Sequence, residues 1–141
     1  MSDYVVDVSV IVQRLIRDRY TNNAKALFQR LTAPDQLYAP EFCSLECANV
    51  LWKHVRFHGM PRAEADILLR DLVGLPLALQ PVTGLLERSL EIGLAHQLAM
   101  YDSLYIALAE RLRYPLITAD AKQEAAARVL GVSLKAITDF S

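Results

Sequence analysis

Residues 4–12, YVVDVSVIV, form an apolar run that is interrupted by one carboxylate, Asp7, and one hydroxyl, Ser9. Valine and isoleucine are typical of β-strands, and a run that is apolar on both faces is typical of a central strand in a parallel sheet. An unpaired carboxylate buried in such a strand would cost several kcal/mol. We therefore expect Asp7 to lie where the strand ends, facing hydrogen-bond donors or a cation, because ligands of open parallel sheets bind at that edge.

The composition predicts one domain over residues 1–141. The chain has 141 residues, of which 53% are hydrophobic and 22% are charged, and a domain of this size buries about 68% of its unfolded surface. No basic segment followed by an apolar segment opens the sequence, and no apolar run approaches about 18 residues. These features predict a cytoplasmic protein that makes no membrane contact. The net charge of -1 means that an anionic partner would need a local cationic patch or a bound metal.

Cys43 and Cys47 are four residues apart on a predicted helix. We expect them to be a reduced pair that fills apolar space. A zinc site that also used His54 and His58 is excluded by geometry, because residues 47 and 54 of one helix are about 10 Å apart along its axis, whereas zinc bonds are about 2 Å long.

Helical and strand patterns alternate along the chain. Strands are predicted at the amino-terminal run and at residues 36–39, 77–79, 115–118 and 132–137. Helices are predicted near residues 10–17, after the cap Asn22-Asn23, and at 41–58, 61–74, 83–98, 102–113 and 121–130, with a break at Ala33-Pro34-Asp35. This order predicts an α/β fold in three layers, with a mostly parallel central sheet of about five strands flanked by helices.

Four acids lie at element ends or in a first helical turn. Asp7 follows the first strand, Glu46 lies early in its helix, Asp102 begins a helix and Asp120 follows the fourth strand. Asp102 and Asp120 would also suit helix N-caps, each worth about 1 kcal/mol, and Glu46 would suit a solvated surface. Asp7 is the acid that such structural roles explain least well.

If the four acids met, each pair of carboxylates about 5 Å apart would repel by roughly 3 kcal/mol at an effective dielectric of about 20. A divalent cation would remove this repulsion, and oxygen ligands without histidine or cysteine suit Mg²⁺ or Mn²⁺. Such an ion lowers the pKa of a bound water and aligns it for in-line attack on phosphorus. The acids therefore lead to the hypothesis of phosphodiester hydrolysis.

Four stretches in this order resemble PIN-domain nucleases, and among these the VapC-type toxins: VVDVS at 5–9, PEFCSLECANVL at 40–51, YDSLYIALA at 101–109 and LITAD at 116–120. The resemblance extends over essentially the whole chain. It implies a PIN-like fold and a metal-dependent endoribonuclease whose acidic quartet is Asp7, Glu46, Asp102 and Asp120. It also implies a homodimer and a small cognate antitoxin that inserts into the active-site groove.

Three further polar residues are candidates for supporting this quartet. Ser9 and Thr118 match hydroxyl positions that often accompany the quartet in the family, and each could bond a carboxylate or a metal-bound water. Hydrogen bonds to nearby backbone are the alternative for both. Asn49 lies one turn beyond Glu46 and could orient that carboxylate or belong to the surface.

An RNA substrate would need cations besides the metal, and Lys53 and Lys122 are the candidate phosphate contacts. Both could equally be solvated surface residues, and Asp139 is interpreted as a tail residue. Residues 67–105 contain an excess of leucine and aromatic residues. This excess suggests a surface that meets another chain, either a dimer face or an antitoxin groove, and a large apolar core is the alternative.

We therefore expect an endoribonuclease that leaves a 3'-hydroxyl and a 5'-phosphate, because an activated water does not need the ribose 2'-hydroxyl. Two alternatives stay open at this stage. One is a non-catalytic module for RNA or protein binding, in which the acids are helix caps. The other is a PIN nuclease of RNA maturation that belongs to no toxin system.

Overall fold

The computed structural model describes residues 2–30 and 36–141. Its strands are β1 (Asp3–Val6), β2 (Gln36–Pro40), β3 (Leu77–Gln80) and β4 (Leu116–Ile117). Its α-helices are α1 (Val8–Leu15), α2 (Thr21–Gln29), α3 (Cys43–Phe57), α4 (Arg62–Val73), α5 (Leu86–His96), α6 (Met100–Leu112) and α7 (Ala121–Val129). Short 3₁₀ turns at Thr83–Leu85 and Ile137–Asp139 complete the described elements.

The four strands form one parallel sheet in the order β3-β2-β1-β4. β1 is therefore a central strand, in which Tyr4 pairs with Leu37 of β2 and Val5 pairs with Leu116 of β4. Val5 and Val6 are completely buried, which explains why this strand is apolar on both faces. The prediction of a central parallel strand is confirmed.

Helix α6 packs against β1, β2 and β4. Every residue from Ser103 to Ala109 is buried, because α5 and α7 also pack against this helix. Helices α1 to α4 pack against one another, with α1 contacting α2, α3 and α4. The predicted α/β class with a parallel sheet flanked by helices is confirmed. Because all four strands are parallel, their carboxyl ends lie at the same edge of the sheet.

The prediction of a fifth strand at residues 132–137 is wrong. Residues 132–137 contribute a single bridge between Leu134 and Leu116, and the chain then enters the turn at Ile137–Asp139. The pairing stops there because β4, the strand beside it, is only two residues long. The break predicted at residues 33–35 lies outside the described residues.

Two smaller features also follow from the model. Cys43 and Cys47 are buried and carry free thiols, as predicted for a reduced pair in apolar space. No helix in the described ranges has both the length and the apolar composition needed to cross a bilayer.

Candidate active site

Asp7 lies between the end of β1 and the start of α1, so the strand stops at Val6 and the helix begins two residues later. Its backbone is extended and its Oδ2 accepts a hydrogen bond from the Ser9 backbone N–H at 3.1 Å, which makes it the N-cap of α1. The side chain is only 2% exposed. Asp7 is thus a buried carboxylate at the carboxyl end of a central strand, as the sequence predicts.

Two other side chains hold the Asp7 carboxylate. Gln123 donates from Nε2 to Asp7 Oδ1 at 3.2 Å, and the Thr118 hydroxyl donates to Oδ2 at 3.4 Å. The same Gln123 nitrogen donates to the main-chain oxygen of Asp102 at 3.0 Å. Gln123 therefore joins the end of β1 to the first turn of α6. Gln123 is not among the predicted site residues, because a glutamine in the first turn of a helix does not by itself indicate a functional role.

Asp120 and Asp102 differ in their local roles. Asp120 is the N-cap of α7, since its Oδ1 accepts from the backbone N–H groups of Lys122 at 2.9 Å and Gln123 at 3.1 Å. In the described part of the chain its Oδ2 accepts no hydrogen bond, so capping leaves that oxygen available. Asp102 does not begin its helix as predicted: α6 starts at Met100 and Asp102 lies in the first turn.

Glu46 lies in the first turn of α3, where Tyr105 of α6 holds it. The Tyr105 hydroxyl donates to Glu46 Oε1 at 2.9 Å, and Tyr105 is completely buried. Tyr105 belongs to the stretch YDSLYIALA at 101–109 and is not among the predicted site residues. A tyrosine at a buried helix position is itself a signal, because its hydroxyl needs a hydrogen-bond partner.

The four acids influence one another electrostatically. Burial raises the pKa of Asp7 above its usual range. Burial, followed by the charges of Asp7 and Asp102, raises the pKa of Glu46 to about 7. Burial also raises the pKa of Asp102, with smaller contributions from the charges of Asp7 and Asp120. The fold thus brings the four predicted carboxylates into one field of like charge.

The hydroxyl groups connect the two strand ends. The Ser9 hydroxyl accepts from the Ala119 backbone N–H at 2.9 Å, and the Thr118 hydroxyl accepts from the Asp120 backbone N–H at 3.0 Å. The two hydroxyl oxygens are 3.4 Å apart. Both hydroxyls therefore bond backbone and also act on the Asp7 carboxylate, Thr118 through the bond given above and Ser9 through a side-chain hydrogen bond that offsets part of the rise in the pKa of Asp7.

The remaining candidates lie around the acids. Asn49 is exposed and makes no hydrogen bond to Glu46 within residues 2–30 and 36–141. Lys53 lines a groove that Glu46 and Asn49 also line. Lys122 is exposed, and its charge offsets part of the rise in the pKa of Asp102. Lys53 thus lies beside Glu46 and Lys122 lies within electrostatic range of Asp102.

The donor set can be tested for its fit to a divalent cation. No three histidine, cysteine or acidic side chains in residues 2–30 and 36–141 form a ready-made metal cluster. Mg²⁺ does not need one, since it is usually held by one or two carboxylates and keeps several waters. The ion pairs of the described residues include none of the four acids, and burial raises the pKa values of Asp7, Glu46 and Asp102. In chemistry and charge, the residues present therefore fit a hard divalent cation.

Sequence comparison identifies relatives of known type. A PIN domain family model matches residues 4–129. The chain is 29% identical over 118 residues to Ribonuclease VapC3 of Pyrobaculum aerophilum, covering 82% of this chain and 88% of that protein. It is 31% identical over 118 residues to Ribonuclease VapC9 of Mycobacterium tuberculosis (strain H37Rv), covering 84% and 86%.

Solved structures share the fold at low sequence identity. Mycobacterium tuberculosis VapC20, a toxin that cleaves the sarcin-ricin loop, superposes with a TM-score of 0.66 at 16% identity, covering 87% of this chain and 94% of that one. VapBC2 of Rickettsia felis, bound to a DNA fragment from their promoter, gives 0.67 at 13% identity, covering 95% and 98%. With its parallel sheet, the acids at its edge and a family match over residues 4–129, this chain belongs to the PIN-domain family.

Proposed function

We propose that this protein is an Mg²⁺- or Mn²⁺-dependent endoribonuclease and the toxin of a type II toxin–antitoxin pair. Its relatives are named ribonucleases, and its residues 1–141 would form one catalytic domain that acts on cytoplasmic RNA. One observation carries the proposal. Asp7 is a buried carboxylate at the carboxyl end of a central parallel strand, and burial together with the charge of Asp7 raises the pKa values of Glu46 and Asp102.

In this proposal Asp7, Glu46, Asp102 and Asp120 form the metal site, in which one or two of the carboxylates would contact the ion directly and the others would bond the waters that it keeps. When bound, a divalent cation neutralises charge on the phosphate and lowers the pKa of the attacking water. The protein orients the carboxylates beforehand: Gln123 and Thr118 hold Asp7, and Tyr105 holds Glu46. Because these hydrogen bonds already exist in the fold, the orientations of Asp7 and Glu46 are set before metal and substrate bind.

Two lysines would hold the RNA backbone. Lys53 lines the groove beside Glu46, and Lys122 acts electrostatically on Asp102. These positions would place one ammonium group on either side of the cleaved phosphate, where each would attract phosphate oxygens. Neither lysine belongs to an ion pair in the residues that the model describes, so both remain able to bind an anion.

Protein partners would cover the apolar surface. Of the large side chains in the segment 67–105, several are exposed: Ile67, Leu69, Val73, Leu79, Leu86, Leu90, Leu94 and Tyr101. Those on α5 are spaced four residues apart and so lie along one face of the helix. Since VapBC2 of Rickettsia felis is a toxin–antitoxin complex with the same fold, we propose a small antitoxin as partner, and a homodimer formed through the α5 face.

The test is cleavage of a total RNA pool by purified protein. Wild type and Asp7→Asn are compared with Mg²⁺, with Mn²⁺ and with chelator, and the ends of the fragments are mapped. We expect discrete metal-dependent cuts that leave 3'-hydroxyl and 5'-phosphate ends and are absent from the variant. Ends carrying a 2',3'-cyclic phosphate would contradict attack by an activated water. A folded wild-type protein, free of inhibitor, that cleaves under no condition would instead favour a binding module.

The toxin assignment needs a test of its own. Induced expression of the wild type should arrest growth of a bacterial host, Asp7→Asn should not, and the product of a short adjacent reading frame should restore growth. Metal-dependent cleavage without growth arrest would instead favour a nuclease of RNA maturation.

A further inference from the structure

A groove of about 470 Å³ opens directly beside Glu46, between α3 and the start of α6. Most of its lining is apolar and includes Val8 and Val50. Because Glu46 belongs both to this groove and to the group of acids, a molecule bound in the groove would lie next to a phosphate held at the acids. The groove is therefore placed to receive a part of the substrate that neighbours the reacting bond.

One wall of the groove is polar. Glu46, Asn49 and Lys53 all line it, and their spacing of three and four residues puts them on one face of α3. At 1.5 Å per residue the wall extends about 10 Å along the helix axis. In order, it presents a carboxylate, an amide that can both donate and accept hydrogen bonds, and an ammonium group.

Two aromatic side chains, Phe42 and Tyr101, also line the groove. Tyr101 is 57% exposed, and its ring contacts Phe42 edge to face, with ring centroids 5.2 Å apart at 74°. Phe42 contacts in turn the buried ring of Tyr105, with centroids 5.9 Å apart at 89°. Two further rings, those of Phe42 and Tyr105, therefore support the exposed ring of Tyr101. Within residues 2–30 and 36–141 the Tyr101 hydroxyl makes no hydrogen bond, so nothing there turns the ring away from the groove.

We propose that this groove binds one unpaired nucleobase of the RNA strand, adjacent to the cleaved phosphate; this rests on the proposed ribonuclease function. A nucleobase has apolar faces and a hydrogen-bonding edge. The Tyr101 ring offers a stacking surface, Asn49 offers an amide to the base edge, and Lys53 lies where the next phosphate of the strand passes. Stacking on aromatic side chains together with backbone cations is how proteins hold single strands.

The shape of the groove also restricts the substrate. A base within a double helix is stacked and paired, so it cannot enter a groove in the protein surface without leaving the stack. We therefore infer that the groove selects single-stranded or looped RNA. The apolar part of the lining would also suit a protein segment, but Asn49 and Lys53 on one face of α3 provide the amide and the cation that a base edge and the next phosphate need.

The experiment separates base binding from backbone binding. Chelated protein is titrated with three labelled probes: a short unstructured RNA, an abasic RNA of the same length, and an RNA duplex. Tyr101→Ala removes the ring, Tyr101→Phe keeps it, and Val129→Ala is the matched control, since Val129 is an exposed apolar residue of α7. Fluorescence anisotropy gives each Kd, and the KM and kcat for cleavage of the unstructured RNA are measured with Mg²⁺.

Loss of one stacked base weakens binding by roughly 5- to 150-fold. We expect Tyr101→Ala to raise both the Kd and the KM for the unstructured RNA within that range, with kcat changed less than about twofold. Tyr101→Phe and Val129→Ala should behave like the wild type, and Kd for the abasic strand and for the duplex should not change in any variant.

Equal losses for the abasic strand, or no loss for the unstructured RNA, would overturn the base site. If Tyr101→Ala instead weakened capture of the antitoxin and left RNA binding intact, the groove would be a protein-docking surface. The two proposals fail in different ways. A wild-type protein that neither binds nor cleaves any RNA removes the ribonuclease function itself, whereas metal-dependent cleavage by Tyr101→Ala with the KM of the wild type removes the base site alone.

Discussion

Gln123 and Asp7 are 116 residues apart in the chain, yet the Gln123 amide nitrogen lies 3.2 Å from Asp7 Oδ1. The same nitrogen bonds the main-chain oxygen of Asp102, and Gln123 is completely buried. A flipped amide would point its oxygen at a carboxylate and a carbonyl, so the donor orientation is required as long as Asp7 is ionised. One side chain thus holds together two of the segments that carry the acids.

Replacing Gln123 by leucine should destabilise the fold. The substitution leaves acceptors of Asp7 and Asp102 without their donor and also removes the buried Gln123 Oε1, which has no partner among the described residues; the first effect is the larger, at a net cost of about 1–3 kcal/mol. We expect urea unfolding at pH 7 to show a loss of this size in the free energy of unfolding. Gln29→Leu, at an exposed position of α2, is the control and should stay within about 0.5 kcal/mol of the wild type. Equal stability of both variants would mean that the buried hydrogen bond has no net effect.

Divalent metal should stabilise the protein through the four acids. At a concentration about 100 times its Kd, Mn²⁺ should add about 2.7 kcal/mol to the free energy of unfolding, which corresponds to a rise in Tm of several degrees. Thermal melting with Mn²⁺ and with chelator measures the effect. Asp7→Asn should lose it and Asp71→Asn, an exposed aspartate of α4, should keep it. A response that is equal in both variants would place the metal elsewhere.

The metal-free protein should become less stable as the pH rises from about 4.5 to 7. Burial and the neighbouring charges of Asp7 and Asp102 raise the pKa of Glu46 to about 7 in the fold, from an ordinary value of 4.5. The folded state therefore binds the proton more tightly than the unfolded state, so the contribution of Glu46 is present below the unfolded pKa and is lost as the pH passes the folded value.

Chemical unfolding of chelated protein between pH 4.5 and 8 tests this sign. Other groups titrate in the same range, so the informative quantity is the difference between wild type and Glu46→Gln. The wild type should lose more stability across the range than the variant, and saturating Mg²⁺ should reduce the difference. Parallel curves in chelator would show that Glu46 has an ordinary pKa in the folded protein.

The apolar face of α5 should control self-association. Leu90 is 51% exposed and lies between Leu86 and Leu94 on this face. Leu90→Glu should shift the protein from dimer to monomer in sedimentation experiments, because a charge would be buried in the contact. Val129→Glu is the matched control, since Val129 is an exposed apolar residue of α7. A wild type that is monomeric at every concentration would remove the homodimer from the proposal.

Local sequence patterns were sufficient for much of this protein. The apolar run at residues 4–12 predicts a central parallel strand, and the cost of burying a charge predicts that Asp7 stands at its end; the model has both features. The cap at Asp120 was also predictable, because Asp is favoured where its oxygen can accept from the first N–H groups of a helix. These properties depend on neighbours in the chain and on the environment that the residue types require.

Only the tertiary structure decided how the acids are held. The bonds from Gln123 to Asp7 and from Tyr105 to Glu46 join residues 116 and 59 positions apart, and no local pattern encodes which buried donor meets which carboxylate. The fifth strand failed for a related reason. Residues 132–137 have the composition of a strand, but a strand needs a partner of matching length, and β4 provides only two residues. Strand pairing and buried hydrogen bonds are properties of packed pairs, which the sequence of one partner does not contain.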